Sequence, residues 1–363
     1  MTWRNPVLDL IPDYVAGKPA EELAREKGLS RVLKIASNEN PLGPSPRAIR
    51  ALREAALRAH VYPDDHCRDL AGAVAARLGV SADMLLFGTG SDDAMHLATW
   101  AFGEPGRAAL VPSPGFGGYP IFAHSFGLRP VPVELPNREW DLNRFLDAAR
   151  RERAAVVYLA SPNNPTGTGL RHADVASFCE AIGGDVLVVL DMAYREFDPD
   201  PDAPDDVAIV RAFSHVVACR TFSKAYGLAG LRLGFAIASP ARIRDMKRVR
   251  TPFAANGVAL DAALAALGDA DHLAKSVRLA RDGVAWWTER LAARNISVTP
   301  SRANFVMADF GRDAAPIYSG LLDRGVIVRH LKSFGVPTAL RITAGLPDDN
   351  EFALAMLDEV LGT

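Results

Sequence analysis

A chain of 363 residues exceeds what one hydrophobic core usually organises, so two domains are expected. Its 49% hydrophobic and 23% charged residues are ordinary for a folded enzyme, and a formal net charge of -2 excludes the basic footprint of a nucleic-acid binder or a polybasic membrane surface. No apolar run nears the roughly 20 residues that span a bilayer, the three scattered cysteines suggest no disulfide framework, and no Cys/His cluster has zinc spacing.

The N-terminal stretch Met1-Thr2-Trp3-Arg4-Asn5-Pro6 lacks the apolar core of a signal peptide, which makes a cytoplasmic location the expectation. Proline, glycine and charge alternate through residues 1–30, predicting an extended arm before a short helix. Pro41, Gly43, Pro44 and Pro46 mark an irregular loop entering a helix over 47–60. A helix is predicted over 91–102 and another over 173–182. Short, continuous apolar runs at 155–160 and 186–190 read as buried parallel strands, with further strands at 216–219 and 235–238. Strands alternating with helices imply an open, mostly parallel α/β sheet flanked by helices, whose ligands bind at the carboxyl ends of the strands. Beyond Pro252 a long helix over 271–294 and strands at 304–309 and 326–329 suggest a smaller α+β domain, against which the arm packs. The expected division is an arm with part of the small domain over 1–60, a large ligand-binding domain over 61–252, and the rest of the small domain over 253–363.

The segment 223–234 is the most informative for chemistry. It sets Lys224 beside the hydroxyls of Thr221 and Ser223, with Arg232 following. A lysine forms Schiff bases with aldehydes, while hydroxyls and a guanidinium hold phosphate, and pyridoxal phosphate carries both groups. In Gly88-Thr89-Gly90-Ser91-Asp92-Asp93 the amides at a helix N-terminus suit a phosphate, although a plain capped turn has the same form. The turn Ser161-Pro162-Asn163-Asn164-Pro165-Thr166-Gly167 exposes the Asn164 amide or is simply built of turn formers. Asp191 ends a buried strand, where a carboxylate needs a partner such as a protonated pyridine nitrogen or the next helix's amides. Tyr194 follows, within reach of a ring oxygen. Arg329 and Arg341 suit an anionic substrate, or ordinary surface ion pairs.

Taken in order, these motifs, with Ser37-Asn38-Glu39-Asn40-Pro41-Leu42-Gly43-Pro44, Tyr62-Pro63-Asp64 and the trailing Asp349-Asn350, resemble the fold-type I pyridoxal-phosphate aminotransferases over nearly the whole chain. The branch they resemble most is the histidinol-phosphate aminotransferases. The resemblance implies that Lys224 carries the cofactor and shuttles the proton, while Asp191 pairs with the pyridinium nitrogen. It implies that Asn164 and Tyr194 hold the ring's 3-oxygen. Ser91, Asp92, Thr221, Ser223 and Arg232 would bind the phosphate, and Phe116 would stack on the ring. Tyr62 would reach the neighbouring subunit's cofactor, making a homodimer with shared active sites. Tyr14, Asn40, Tyr62, Asn164, Arg329 and Arg341 would surround the substrate. The implied reaction moves an amino group from histidinol phosphate to 2-oxoglutarate in histidine biosynthesis. Aromatic amino acids are the alternative donors, a threonine-phosphate decarboxylase-like reaction comes next, and a non-catalytic regulator last. Gly115, Met192, Ala344 and Leu346 depart from the family's usual residues without removing a catalytic group.

Overall fold

The computed structural model describes residues 4, 6–11 and 17–362. A seven-stranded sheet forms its centre, in the order Leu85–Gly88, Gly234–Ile237, Val216–Thr221, Leu187–Asp191, Ala154–Ala160, Ala108–Ser113 and Arg129–Glu134. Gly234–Ile237 runs antiparallel to both its neighbours, and the remaining pairings are parallel. Every residue of Ala154–Ala160 and Leu187–Asp191 is buried, because helices cover both faces. The strand period divides them: Val157 and Leu159 join one hydrophobic cluster, Val156 and Tyr158 the other. The edge strand Arg129–Glu134 carries Pro130 and Pro132, whose missing N–H groups only an edge tolerates. Those prolines hid it from sequence reading.

A second sheet is antiparallel throughout: Arg329–His330, Ala339–Thr343, Phe305–Asp309 and Ser297–Thr299. Its own core gathers around Trp287, Leu291, Val306 and Leu357. The arm adds Leu33–Lys34 in parallel to Val326–Ile327, and Thr343 N–H donates to the Ile35 carbonyl at 2.9 Å. The single strand expected at 326–329 is therefore two short ones in different sheets, with Val328 between them. The helix expected over 47–60 ends at Ala56. That helix, Pro46–Ala56, and Gly257–Leu267 bury Ala48, Ala259, Ala262 and Ala263 in the larger core. Their small faces fit closely there, although the expected division set both in the segments of the small domain. Helix Ala270–Ala292 then runs from Leu273, against the larger core, to Trp287 and Leu291 in the smaller.

Among the described residues no helix is long and apolar enough to cross a membrane, and no cluster of His, Cys, Asp or Glu could hold a metal ion. Cys67, Cys179 and Cys219 are buried free thiols.

Candidate active site

A cavity of about 190 Å³ opens at the carboxyl ends of the central strands, where the two cores meet the arm. The large sheet supplies Ser91, Asp92, Phe116, Asn164, Asp191, Tyr194, Thr221, Ser223, Lys224 and Arg232. The smaller sheet supplies Arg329 and Arg341, with Phe334 beyond them, and the arm supplies Ala36, Ser37 and Asn38.

The sheet register explains how distant segments converge. Gly88 lies beside Gly234, and Gly234 beside Thr221. A Cβ on Gly234 would fall 2.3 Å from the Ser91 nitrogen, so only glycine lets this strand pass under the start of helix Ser91–Phe102. Gly90, at φ 100°, has the same character, since a Cβ there would meet Arg232 Nη2 at 2.8 Å. These glycines leave a cradle of amides, hydroxyls and a guanidinium. Arg232 Nη1 donates to Ser223 Oγ at 3.2 Å, and its Nη2 stands 3.7 Å from Asp92 Oδ2. Ser223 N–H donates to Thr221 Oγ1 at 3.0 Å. Such a donor set is built for a dianion at a helix N-terminus.

Lys224 Nζ donates to the Ser37 carbonyl at 2.9 Å and lies 5.8 Å from the centre of the Tyr194 ring. Burial, then the charge of Arg341, pulls its amine down to about 8. Asp191 has both oxygens held: Tyr119 Oη donates to Oδ2 at 2.7 Å, and Ala193 N–H to Oδ1 at 3.0 Å. Burial nonetheless pushes its carboxyl up to about 6, against these hydrogen bonds and the attraction of Lys224. Burial likewise pushes the Tyr194 phenol up to about 12, against the pull of Arg341 and a hydrogen bond from Asn38. Arg341 is buried; its Nη1 donates to Asn164 Oδ1 and its Nη2 to the Ala36 carbonyl at 2.6 Å. With Asn164 Oδ1 so engaged, the Nδ2 of its amide remains as the donor side.

Twelve of the sequence-designated residues thus line one cavity. Tyr14 lies outside the described residues. Asn40 does not line the cavity: its Nδ2 donates to the Ala225 carbonyl at 3.0 Å and to Ser276 Oγ at 2.8 Å, tying the arm to the Lys224 segment. Tyr62 is also absent from it. It is 79% exposed, stacks on Phe253 at 4.7 Å, and lines a separate groove of about 780 Å³. Tyr119, Asn38 and Phe334 are cavity or supporting residues that sequence reading passed over. Asn38 adopts φ 56°, a left-handed conformation that asparagine tolerates.

The residues suit pyridoxal phosphate: an anion cradle, an amine with a depressed pKa, and a buried carboxylate whose pKa is raised by burial. Comparisons agree. The family model described as aminotransferase class I and II matches residues 30–356. The histidinol-phosphate aminotransferase of Anaeromyxobacter sp. (strain Fw109-5) is 44% identical over 360 residues, covering 98% of each chain. That of Symbiobacterium thermophilum is 42% identical over 349 residues, 96% of each. The crystal structure of histidinol-phosphate aminotransferase from Sinorhizobium meliloti, in complex with pyridoxal-5'-phosphate, superposes with a TM-score of 0.92 at 30% identity, covering 100% of this chain and 98% of that one. Aspartate aminotransferase from Thermus thermophilus with maleate shares the fold, at a TM-score of 0.85 and 21% identity, over 99% of this chain and 100% of that one. Likeness of this extent in sequence, reaching both cores and the arm, means that the chain belongs to the class I and II aminotransferases.

Proposed function

We propose that this aminotransferase uses pyridoxal phosphate to move the amino group of histidinol phosphate to 2-oxoglutarate, in the cytoplasm, as a step of histidine biosynthesis. The observation that carries the cofactor reading is the convergence of Lys224, Asp191 and the Ser91–Ser223–Arg232 cradle on one cavity. The substrate reading rests on relatives of 44% and 42% identity over nearly their whole length.

Bound there, pyridoxal phosphate supplies an aldehyde that couples to amines and a ring that accepts the electrons left on a deprotonated α-carbon. The chain supplies the rest. The amides of Ser91 and Asp92, the hydroxyls of Thr221 and Ser223, and Arg232 would hold the phosphate. Asp191, whose carboxylate Tyr119 and Ala193 keep aimed, would accept a hydrogen bond from the protonated ring nitrogen. Tyr194 Oη and Asn164 Nδ2 would hold the ring oxygen, and Phe116 would pack against the ring. Lys224 Nζ, buried and readily neutral, takes the α-proton and returns it as general base and then acid. Arg329 and Arg341 receive the anionic end of each substrate in turn, phosphate from the donor and carboxylate from the acceptor. Tyr14 belongs to this group by sequence resemblance alone.

Two larger-scale readings accompany this one. Val61 and Tyr62 are exposed in the 780 Å³ groove, which fits a homodimer in which Tyr62 serves the partner's site. The division into two cores fits a large domain that holds the cofactor and a small one that carries the substrate arginines. Because arginines bind carboxylates as well as phosphates, aromatic amino acids are the second substrate reading.

A half-reaction screen separates these readings. The cofactor-loaded protein is mixed with histidinol phosphate, phenylalanine, tyrosine, glutamate or phosphothreonine, and the absorbance of the lysine-linked cofactor is followed. Histidinol phosphate and glutamate are expected to convert the cofactor, with 2-oxoglutarate restoring it. Conversion by aromatic acids but not histidinol phosphate would replace the donor. Carbon dioxide released from phosphothreonine, without any need for a keto acid, would replace the reaction.

A further inference from the structure

Tyr194 belongs to the large domain, yet its hydroxyl is held from outside it. Asn38 Nδ2, on the arm, donates to Tyr194 Oη at 2.8 Å. The Asn38 side chain is itself fixed. Its backbone N–H donates to Thr343 Oγ1 at 3.0 Å, and Thr343 Oγ1 donates back to Asn38 Oδ1 at 3.0 Å. Asn304 Nδ2 holds the Asn38 carbonyl at 3.1 Å. All three of Asn38, Thr343 and Asn304 are buried.

Counting hydrogens decides the direction of each bond. Thr343 Oγ1 has one hydrogen and already accepts from a backbone N–H, which cannot reverse. If the Asn38 amide were turned over, the buried threonine would face a second donor, and its own hydrogen would lose its acceptor. The orientation with Oδ1 toward Thr343 satisfies every group. It leaves Nδ2 as the donor to Tyr194, so the phenol oxygen accepts there. The phenol's one hydrogen is then left to point into the cavity that Tyr194 lines. Its high pKa keeps that hydrogen in place.

We propose that Asn38 is a positioning residue which, braced by Thr343, fixes Tyr194 as a hydrogen-bond donor toward the cavity. This rests on the reading of Tyr194 as a ligand of the cofactor's ring oxygen. Residues from the arm and the small domain thereby set the hydrogen-bonding direction of a group on the large domain. The charged groups facing Tyr194 are Arg341, Asp191, Asp92 and Lys224, and replacing Asn38 by glycine alters none of them.

The test follows the pH midpoint at which the absorbance of the bound, lysine-linked cofactor changes. A donor to the ring oxygen stabilises negative charge there and loosens the linkage proton, so losing it raises the midpoint. Tyr194→Phe is expected to raise it by about one unit, the scale of one hydrogen bond to a charged oxygen. Asn38→Gly, which keeps the left-handed backbone unstrained, is expected to raise it by a smaller amount in the wild-type background and not at all in Tyr194→Phe. Thr343→Val, which removes the brace and keeps the shape, is expected to behave like Asn38→Gly. Equal shifts in both backgrounds, or none in the wild type, would overturn the inference while leaving the Tyr194 assignment intact. No shift from Tyr194→Phe itself would overturn that assignment instead.

Discussion

Lys224 holds its proton less tightly than a lysine in water, because burial disfavours the ammonium and Arg341 repels it, against the attraction of Asp92 and Glu39. Only the neutral amine attacks an aldehyde. Loading of the cofactor-free protein with pyridoxal phosphate is therefore expected to speed up with pH and level off above about 8. A rate still climbing toward the ordinary lysine value of 10.5 would contradict the burial of the amine. The same shift affects stability. The unfolded chain holds this proton more tightly than the folded one, so the group's contribution rises with pH between about 8 and 10.5. Asp191 works the other way. Its folded pKa of about 6 lies above the ordinary aspartate value of 3.8, so ionising it costs stability as pH rises through that window. Asp191→Asn should therefore leave the cofactor-free protein equally stable or more stable at neutral pH, by up to about 2 kcal/mol. It should also weaken cofactor binding at least about tenfold, the cost of one charge-assisted bond. Thermal melts with and without cofactor check both halves. Lys224, Asp191 and Asn164 were legible in the sequence because each stands in its own short, unusual turn or strand end. Tyr119 and Asn38 were not. Their partners lie 72 and 156 residues away, and no local pattern marks such a bond.

At the scale of elements, the site depends on how closely strands and helix starts approach. Gly234→Ala would force a Cβ against the Ser91 nitrogen, displacing the first turn of helix Ser91–Phe102. Overpacking of this kind costs about 1–3 kcal/mol. Because the displaced amides belong to the proposed phosphate cradle, affinity for pyridoxal phosphate should fall as well. Urea titration and a spectral binding curve measure the two effects, and unchanged affinity would show that the helix start contributes nothing. In the small domain, Asn350 Oδ1 accepts from Trp287 Nε1 and from Gly345 N–H, each at 2.9 Å, and its Nδ2 donates to the Gly345 carbonyl at 3.2 Å. This locks the loop after strand Ala339–Thr343, which carries Arg341. Asn350→Ala leaves buried donors unmet and should cost about 2–4 kcal/mol, seen as a lowered denaturation midpoint. The central parallel strands were readable because continuous β-branched runs admit few alternatives. The division of residues 326–330 between two sheets was not readable, since it depends on which partner strand reaches each residue.

The whole molecule joins two cores through the arm and one long helix, and the cavity draws on all of them. A large sheet-based α/β core and a smaller α+β one were legible in the sequence, because strands alternate with helices through one part and helices dominate the other. The sequence could not reveal which core the alanine-rich helices Pro46–Ala56 and Gly257–Leu267 would join, since small faces fit either. Strand order was equally hidden, being set by crossovers and not by any local signal. If Tyr62 serves a neighbouring site, the protein should run as a dimer in sedimentation experiments. Tyr62→Ala should then raise the cofactor's dissociation constant while lowering the unfolding free energy of the cofactor-free protein by no more than about 0.5 kcal/mol, as expected for an exposed side chain. The most direct measurement concerns Lys224. The protein, loaded with pyridoxal phosphate, is reduced with borohydride, digested, and mapped by mass spectrometry. The added mass is expected on the peptide containing Lys224 and to vanish in Lys224→Ala, whereas a label on any other lysine, or none at all, would contradict the assignment of this cavity as the cofactor site.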